Sequence, residues 1–324
     1  MTKKRSLTGI RPTGDIHLGN YLGTIKPALE NQNEFECLYF IADLHSLTTR
    51  KNPVALRQSS LDVAATWMAL GLDVNKHIMY LQSEVPYVTE FAWYLGSCTG
   101  YGLLEKAHSF KDAKANNKEV NFATFAYPVL MAADILMYDA DIVPVGKDQK
   151  QHVEMCRDMA GSVNAIYGEN LLKLPEVSIR ESVMTIPGLD GRKMSKSYNN
   201  TIPIFAAPKQ LRKKIMSLTT DSTALEEPKS MKENTLGDLY KLFGTQDEYN
   251  DLEKRLNAGG LGWGHAKDEL FQVIDRDLSD ARERYNELRK DEEKLRKILT
   301  LGAEKANAIA LPILNKVRSS MGFA

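Results

Sequence analysis

Two separate groups of polar residues in this chain have the composition of phosphate-binding sites. The pentapeptide Lys193-Met194-Ser195-Lys196-Ser197 lies in the glycine-flanked stretch PGLDGRKMSKSYNN, so its lysines and serines offer charge and hydrogen-bond donors on a loop. The second group, His17-Leu18-Gly19-Asn20, opens a predicted helix that runs through Glu30. A helix N-terminus presents unpaired N–H groups and the positive end of the helix dipole, which attract phosphate.

Each group taken alone has a simpler explanation. A lysine-rich pentapeptide can be a solvated basic loop, and His17 can be a histidine that caps a helix. The two groups together, near opposite ends of one half of the chain, favour a site that holds a polyphosphate from two sides.

The elements that must position these groups alternate in the first half between predicted strands and predicted helices. This alternation predicts an α/β fold with a Rossmann-like, doubly wound parallel sheet, and ligands collect at the carboxyl ends of such strands. From about Ala206 onward only helical patterns are found, which predicts a mostly α-helical C-terminal domain. The predicted strands are Ser6–Ile10, Cys37–Ala42, His77–Leu81 and Asp141–Val145, and the predicted helices are Asn20–Asn31, Pro53–Leu70, Tyr87–Gly100, Phe122–Tyr138, Pro208–Leu218, Thr235–Phe243, Gln246–Asn257 and Lys267–Leu299.

Composition excludes several classes of protein. Lys+Arg and Asp+Glu both number 42 in 324 residues, so a nucleic acid would have to be bound by local basic patches. Cys37, Cys98 and Cys156 lie far apart without a CxxC motif, which predicts reduced thiols in a cytosolic protein. The N-terminus has no apolar signal region and no segment approaches the length of a membrane span, so neither secretion nor membrane insertion is expected.

With both motifs in view, the chain resembles the class I aminoacyl-tRNA synthetases. His17–Asn20 resembles the class signature HIGH, and KMSKS matches the second signature letter for letter. The stretches Tyr127–Leu136 (YPVLMAADIL) and Gly146–His152 (GKDQKQH) are specifically similar to tryptophanyl-tRNA synthetases. Supporting matches are found at Asp43–His45, Gln82–Pro86 and Leu301–Ala306, and the resemblance covers about residues 6 to 321.

The resemblance implies a cytoplasmic, homodimeric ATP-dependent ligase. Its substrates would be L-tryptophan, ATP and tRNA(Trp), and the tryptophan carboxylate would attack the α-phosphate to give tryptophanyl-adenylate and pyrophosphate. Such chemistry needs positioning and charge stabilisation, not a protein nucleophile. Mg²⁺ would arrive on the ATP phosphates, and no protein metal ligands are predicted.

The resemblance also assigns a role to each domain. Residues 1–198 would form the catalytic domain and residues 199–300 the α-helical anticodon-binding domain, with the terminal helix 301–324 packing back near the catalytic domain. For tryptophan tRNA the anticodon would be CCA, and Arg282, Arg284 and Lys290 are candidate contacts. No cysteine follows Cys156, so the iron–sulfur cluster that some members carry is not expected.

Individual site residues follow from the same resemblance. Lys193, Lys196, His17 and Asn20 are implied as catalytic groups, and Asp148 as the acceptor for the ribose hydroxyls. The implied ATP-binding set is Arg11, Thr13, Gly14, His17, Gly19, Asn20, Gly146, Asp148, Gln149, Lys193, Met194, Ser195 and Lys196. The implied tryptophan-binding set is Leu7, Gly9, His45, Tyr127, Met131, Asp134, Ile135, Val143, Val145 and Gln149.

Asp134 is implied as the acceptor of the indole N–H. It lies among apolar and small residues, and burying an unpaired carboxylate there would cost too much free energy unless it had a specific partner. Periodicity alone leaves an exposed aspartate, or one that caps a backbone group, equally open. Tyr127 and Gln149 match residues that bind the substrate ammonium group. His45 and the apolar members of the set could equally be structural.

Three positions depart from the common family pattern. Leu7 stands where many members carry an aromatic residue, and Arg11 stands where many carry glutamine. We expect Arg11 to contact the substrate carboxylate or a phosphate, because its fork geometry suits either. The lysine expected after Phe110-Lys111 is shifted to Lys114, so Lys111 and Lys114 are both candidates for phosphate contact.

Three other kinds of protein share parts of this sequence pattern. Tyrosyl-tRNA synthetases share the class motifs, but they would need residues that read a hydroxyl, and the block Met131–Leu136 (MAADIL) argues against them. Small-molecule nucleotidyltransferases also use a histidine–glycine helix start, yet they do not need the long helical region after the lysines. A catalytically inactive paralogue would not need His17, Lys193 and Lys196 to be intact.

Overall fold

The protein is described here by a computed structural model that covers residues 3–12, 14, 16–49, 52–116, 120–146, 149–179 and 185–323. The chain divides into two compact units. The first comprises residues 1–14, 28–182 and 291–324, and the second comprises residues 15–27 and 183–290.

The first unit is built on five parallel strands in the order β3-β2-β1-β4-β5. Strands β2 and β3 lie on one side of β1, and β4 and β5 lie on its other side. The strand order therefore reverses at β1, and ligands of such sheets bind at this switch point. Its register with β2 runs from Arg5 opposite Glu36 to Ile10 opposite Ile41. The strands are β1 (Arg5–Ile10), β2 (Glu36–Ile41), β3 (Ile78–Leu81), β4 (Ile142–Val145) and β5 (Glu176–Ile179).

The four predicted strands agree with β1 to β4 to within one residue at each end, and the doubly wound α/β fold is confirmed. Strand β5 was not predicted. Its sequence, Glu-Val-Ser-Ile, is short and alternates charged or polar with apolar residues, so it carries little strand signal.

Helices pack on the sheet and enclose one apolar core in the first unit, in which Leu7, Leu38 and Tyr80 are almost fully buried. Helix α8 begins where the side chain of Asn121 accepts from the Thr124 N–H, and it carries Pro128 in its interior. The first-unit helices are α2 (Lys26–Glu30, shared at its start with the second unit), α3 (Asp43–Ser46), α4 (Pro53–Ala69), α5 (Tyr87–Ser97), α6 (Tyr101–Glu105), α7 (His108–Ala115), α8 (Phe122–Leu136), α9 (Lys150–Tyr167) and α14 (Glu292–Ser320).

Helix α14 returns to the sheet of the first unit. A Cβ on Gly302 would lie 1.8 Å from the carbonyl oxygen of Met79 in β3, so only glycine permits this approach. Further along α14, the Arg318 guanidinium forms a two-pronged salt bridge with Glu90 of α5 at 2.6 and 2.7 Å.

The prediction of one continuous helix over Lys267–Leu299 is wrong. Helix α13 ends at Lys290, and α14 begins at Glu292 after Asp291, whose side chain accepts from the Lys294 N–H as an N-cap. Both flanks are rich in charged helix-forming residues, so the periodicity showed no interruption there.

The second unit combines the two predicted phosphate-binding groups with a set of helices. The short α1 (Leu18–Asn20) continues as a π-helical turn over Tyr21–Ile25, where a regular helix from Asn20 was expected. The division made from sequence put the pentapeptide with the sheet, whereas in the structure residues 183–198 share a compact unit with the helices. The remaining helices are α10 (Pro208–Met216), α11 (Thr235–Phe243), α12 (Gln246–Asn257) and α13 (Trp263–Lys290).

Among the described residues, no helix is both long enough and apolar enough to span a membrane.

Candidate active site

The pentapeptide lies on a loop that folds back on itself, here called the lysine loop and comprising residues 187–200. Its start is closed by hydrogen bonds from the Gly188 N–H to the Arg192 carbonyl (2.7 Å) and from the Met194 N–H to the Ile186 carbonyl (2.9 Å). The side chains of Lys193 and Lys196 are exposed, whereas Met194 is buried. The loop therefore exposes the side chains of both lysines while the buried Met194 anchors it.

The lysine loop meets the His17–Asn20 segment within the second unit. The Gly19 N–H donates to the Met194 sulfur at 3.3 Å, and the Leu18 N–H donates to the Ile202 carbonyl at 2.9 Å. Asn20 stays close to His17, since its side-chain oxygen accepts from the His17 N–H at 3.2 Å. The structure thus brings together the residues predicted to hold the ATP phosphates from two sides.

His17 is 8% exposed, and burial lowers its pKa to about 4, with the positive charge of Lys196 as the second cause. At neutral pH the imidazole is therefore uncharged, and it can take part in a hydrogen bond without adding charge. Positive charge on this face comes from the lysines of the loop, which suits an anionic polyphosphate.

A buried polar cluster occupies the first unit where β2 and β3 end. The Asp134 carboxylate, on α8 and 3% exposed, contacts His45 Nε2 at 2.8 Å. It also accepts from Gln82 Nε2 at 2.8 and 2.9 Å, one bond to each oxygen. The structure therefore excludes the exposed aspartate that periodicity had left open.

Burial raises the pKa of Asp134, and the hydrogen bond from His45 opposes that rise. The cluster closes on itself, because the His45 N–H lies 3.4 Å from Gln82 Oε1. Among the described residues, no hydrogen-bond partner is found for the buried Nδ1 of His45. Gln82 was not among the predicted site residues, although the Gln82–Pro86 block is one of the supporting matches to the family.

Tyr127 stands next to this cluster. Its ring centroid lies 4.6 Å from that of His45 and 5.5 Å from that of His152, so α8 supplies both the carboxylate and an aromatic neighbour. The predicted apolar wall residues lie in or against the same apolar core; these are Leu7, Met131, Ile135, Val143 and Val145.

Gly9 has a packing role that the sequence did not reveal. A Cβ at this position would lie 2.4 Å from the Phe40 ring, so glycine lets the ring lie against β1. Phe40 also stacks with Tyr80, at a centroid separation of 6.0 Å. Strand β2 therefore supplies an aromatic ring beside β1, although position 7, where many family members carry an aromatic residue, is occupied by leucine.

Arg11 is engaged with the loop after β2. Its Nη2 donates to Thr48 Oγ1 and Thr49 Oγ1, both at 3.2 Å, and lies 3.4 Å from the His45 carbonyl. Its Nε is buried, and no partner for it is found in the described part of the chain. Contact of Arg11 with a substrate carboxylate or phosphate stays a prediction.

Other predicted residues are distributed as follows. Thr13 and Asp148 lie outside the described residues. Gly14 has φ +94°, and the Gln149 N–H donates to the Gly146 carbonyl at 3.0 Å, just before α9. Lys114 lies over the Phe110 ring at 4.5 Å, and Lys111 is exposed on the same helix, α7.

Arg282 is wrong as an anticodon contact. It is 7% exposed and pairs with Asp275 on its own helix, so its guanidinium is not presented on the surface where a base would bind. Within the part of the chain that the structure describes, no three or more His, Cys, Asp or Glu side chains are grouped to hold a metal ion.

An apolar groove lies between α5 and α8 of the first unit. Its cavity volume is about 460 Å³, and Leu104, Phe125 and Val129 contribute to its lining. Trp93 and Phe122 also line it, yet they are 75% and 78% exposed.

Comparison with known proteins gives concordant matches. A family model described as "tRNA synthetases class I (W and Y)" matches residues 2–279. A tryptophan–tRNA ligase of Fusobacterium nucleatum subsp. nucleatum is 46% identical over 320 residues, which cover 99% of this chain and 98% of that protein. A tryptophan–tRNA ligase of Campylobacter jejuni is 45% identical over 319 residues, which cover 98% of this chain and all of that protein.

Solved structures agree with these matches. The crystal structure of tryptophanyl-tRNA synthetase from Campylobacter jejuni, complexed with ADP and tryptophan, has a TM-score of 0.95 at 45% identity and covers 98% of this chain and 99% of its own. The synthetase from Mycoplasma pneumoniae has a TM-score of 0.80 at 30% identity, covering 100% and 99% of the two chains. The chain therefore belongs to the class I aminoacyl-tRNA synthetases, in the family of the tryptophan–tRNA ligases.

Proposed function

We propose that the protein activates L-tryptophan with ATP to tryptophanyl-adenylate and pyrophosphate, and then transfers tryptophan to tRNA(Trp). The observation that carries this proposal is the buried cluster of Asp134, His45 and Gln82 next to an apolar core. A carboxylate in such surroundings can accept one N–H of an otherwise apolar ligand, and the indole of tryptophan has that character.

Recognition of tryptophan is assigned to the first unit. The Asp134 carboxylate accepts the indole N–H, and Tyr127 with Gln149 binds the ammonium group. The phenylalanine side chain has no N–H, so its entry leaves the buried polar groups without a partner, which costs more than the lost contact alone.

The ATP phosphates are assigned to the second unit. His17, Gly19 and Asn20 bind them on one side, and Lys193 and Lys196 stabilise the negative charge that builds up on the departing pyrophosphate. The exposure of both lysines and the neutral state of His17 support these roles. Mg²⁺ is carried into the site on ATP as part of the substrate.

The helical part of the second unit is proposed to bind the tRNA(Trp) anticodon, with Arg284 and Lys290 as the remaining candidate contacts. The proposed location is the cytoplasm, which suits Cys37, Cys98 and Cys156, none of which forms a disulfide.

The proposed reaction is tested by ATP–pyrophosphate exchange with each of the twenty amino acids, followed by charging of total tRNA. We expect exchange with tryptophan and charging of tRNA(Trp) alone. Exchange that depends on tyrosine, exchange without any amino acid, or exchange without charging would each contradict the proposal.

A homodimer is proposed through the apolar groove between α5 and α8. Trp93 and Phe122 are large, apolar and mostly exposed, as expected of side chains that a second copy covers. Sedimentation equilibrium should give a dimer for the wild type and a monomer for Trp93→Lys. Ile166→Lys is the control, because Ile166 is 61% exposed on α9 but does not line the groove. A dimer that survives Trp93→Lys, or a monomeric wild type, would contradict this assembly.

A further inference from the structure

The side chain of Asn200 is buried at the end of the lysine loop, where it is 2% exposed. Its Nδ2 donates to Asp190 Oδ1 at 2.6 Å and to the Lys193 carbonyl at 3.1 Å. Its Oδ1 accepts from the Ser195 N–H at 2.8 Å. One amide therefore joins the beginning, middle and end of the loop.

The loop is built to admit this side chain. A Cβ on Gly188 would lie 2.4 Å from Asn200 Cγ and Nδ2, so only glycine leaves room for the amide there. The backbone is tied at the same place, because the Leu189 N–H donates to the Asn200 carbonyl at 2.9 Å. A residue larger than glycine at position 188, or one larger than asparagine at position 200, would displace the loop.

The two backbone groups that Asn200 holds belong to the residues on either side of Met194. Fixing the Lys193 carbonyl and the Ser195 N–H sets the direction in which Met194 leaves the backbone, and its sulfur accepts from the Gly19 N–H. Once Met194 points inward, Lys193 and Lys196 are left on the exposed side of the loop.

We propose that Asn200 is a positioning residue for ATP activation: its amide fixes the shape of the lysine loop so that Lys193 and Lys196 meet the phosphates together. This inference rests on the proposed function of the loop. Asn200 touches the phosphates at no stage, and it acts through the backbone of the loop. Loss of the amide therefore misplaces both lysines at once, while tryptophan binding in the first unit is untouched.

The test compares Asn200→Ala with wild type in tryptophan-dependent pyrophosphate exchange. We expect kcat/KM for ATP to fall about 10- to 100-fold, because misplacement by an ångström in a positioned site has effects of that size. The KM for tryptophan should stay within about twofold of wild type, since a loop residue of this kind contributes only to the ATP step. Asn170→Gly is the matched control, because Asn170 is exposed, has φ +62° and lies outside the lysine loop.

A second pair of variants tests the hydrogen bonds themselves. Asn200→Asp keeps the acceptor for Ser195 but sets a carboxylate against Asp190, so it should be at least as impaired as Asn200→Ala. Adding Asp190→Asn restores a hydrogen-bond donor between the two positions. In the double variant, kcat/KM for ATP should therefore be about tenfold higher than in Asn200→Asp, the amount expected for one hydrogen bond to a charged group. This comparison decides the matter even where Asn200→Ala does not fold.

The inference is overturned if Asn200→Ala lowers only the melting temperature and leaves kcat and KM for ATP unchanged, or if the double variant recovers nothing over Asn200→Asp. A wild-type protein that shows no tryptophan-dependent exchange would instead overturn the proposed function.

Discussion

The backbone N–H of Gly19 donates to the sulfur of Met194 over 3.3 Å, and this contact joins the two predicted phosphate-binding groups within one compact unit. Met194 is 4% exposed, and a Cβ added to Gly19 would lie 3.4 Å from its Cβ. The apolar residue of the pentapeptide is therefore the one that meets the glycine of the first motif, and Lys193 and Lys196 are exposed.

Gly19→Ala should disturb this contact. The added methyl group would lie 3.0 Å from His17 Nδ1, which forces the ring or the loop to move by a few tenths of an ångström. We expect kcat/KM for ATP to fall by about tenfold in pyrophosphate exchange, because the residues proposed to hold the ATP phosphates are displaced. Gly23→Ala is the control, since nothing lies within 4 Å of a Cβ there. Equal activity of the two variants would show that the contact has no role in ATP binding.

Asp134→Asn should weaken tryptophan activation. The amide nitrogen of asparagine would face the donor of His45 or of Gln82, so one buried donor loses its acceptor. We expect kcat/KM for tryptophan to fall about 10- to 100-fold, the effect of a lost hydrogen bond to a charged group. The KM for ATP should change little.

The matched control for this variant is Asp139→Asn, close to Asp134 in sequence, where the backbone has φ +47° and accepts asparagine readily. An Asp134→Asn enzyme with unchanged kcat/KM for tryptophan would remove the aspartate from the recognition site.

Several parts of the fold could be predicted from the sequence alone. Apolar strands bounded by glycine, proline or charged residues gave the ends of β1 to β4 to within one residue, and the helix predicted to begin at Pro53 is α4. The break at Asp291 could not be predicted, because an aspartate between two charged helical stretches reads equally well as an exposed helix residue.

The candidate site divides in the same way. His17–Asn20 and the pentapeptide are local motifs, so their positions could be read from the sequence. Gln82 meets Asp134 across 52 residues of sequence, a contact that only the tertiary fold creates. Asn200 has a short-range role, yet no residue type or spacing distinguishes an asparagine that holds a loop from one that is solvated.

The titration of His17 should make the free energy of unfolding depend on pH. Its folded pKa is about 4, below the ordinary value of 6.5, so between these values the unfolded chain binds more protons than the folded one. The free energy of unfolding should therefore rise with pH from about 4 to 6.5, and the contribution is complete above that range.

Chemical denaturation of wild type and His17→Gln at several pH values measures this contribution, and the difference in slope between them belongs to His17. Titration of the His17 ring by NMR in the absence of ATP should give a midpoint near pH 4. A midpoint near 6.5, or identical pH slopes for the two proteins, would contradict the burial of this imidazole.

Gly302→Ala should destabilise the first unit, because its methyl group has no room against the Met79 carbonyl, 1.8 Å from the position of the added Cβ. Helix α14 would have to withdraw from β3, and we expect the free energy of unfolding to fall by about 1–3 kcal/mol, as for other substitutions that overfill a packed interface. Gly161→Ala on α9 has nothing within 4 Å of its Cβ and should instead stabilise the protein by about 0.5–1 kcal/mol, the gain in helix propensity. Urea unfolding of both variants measures the two effects, and a Gly302→Ala protein as stable as wild type would show that α14 does not depend on this close approach.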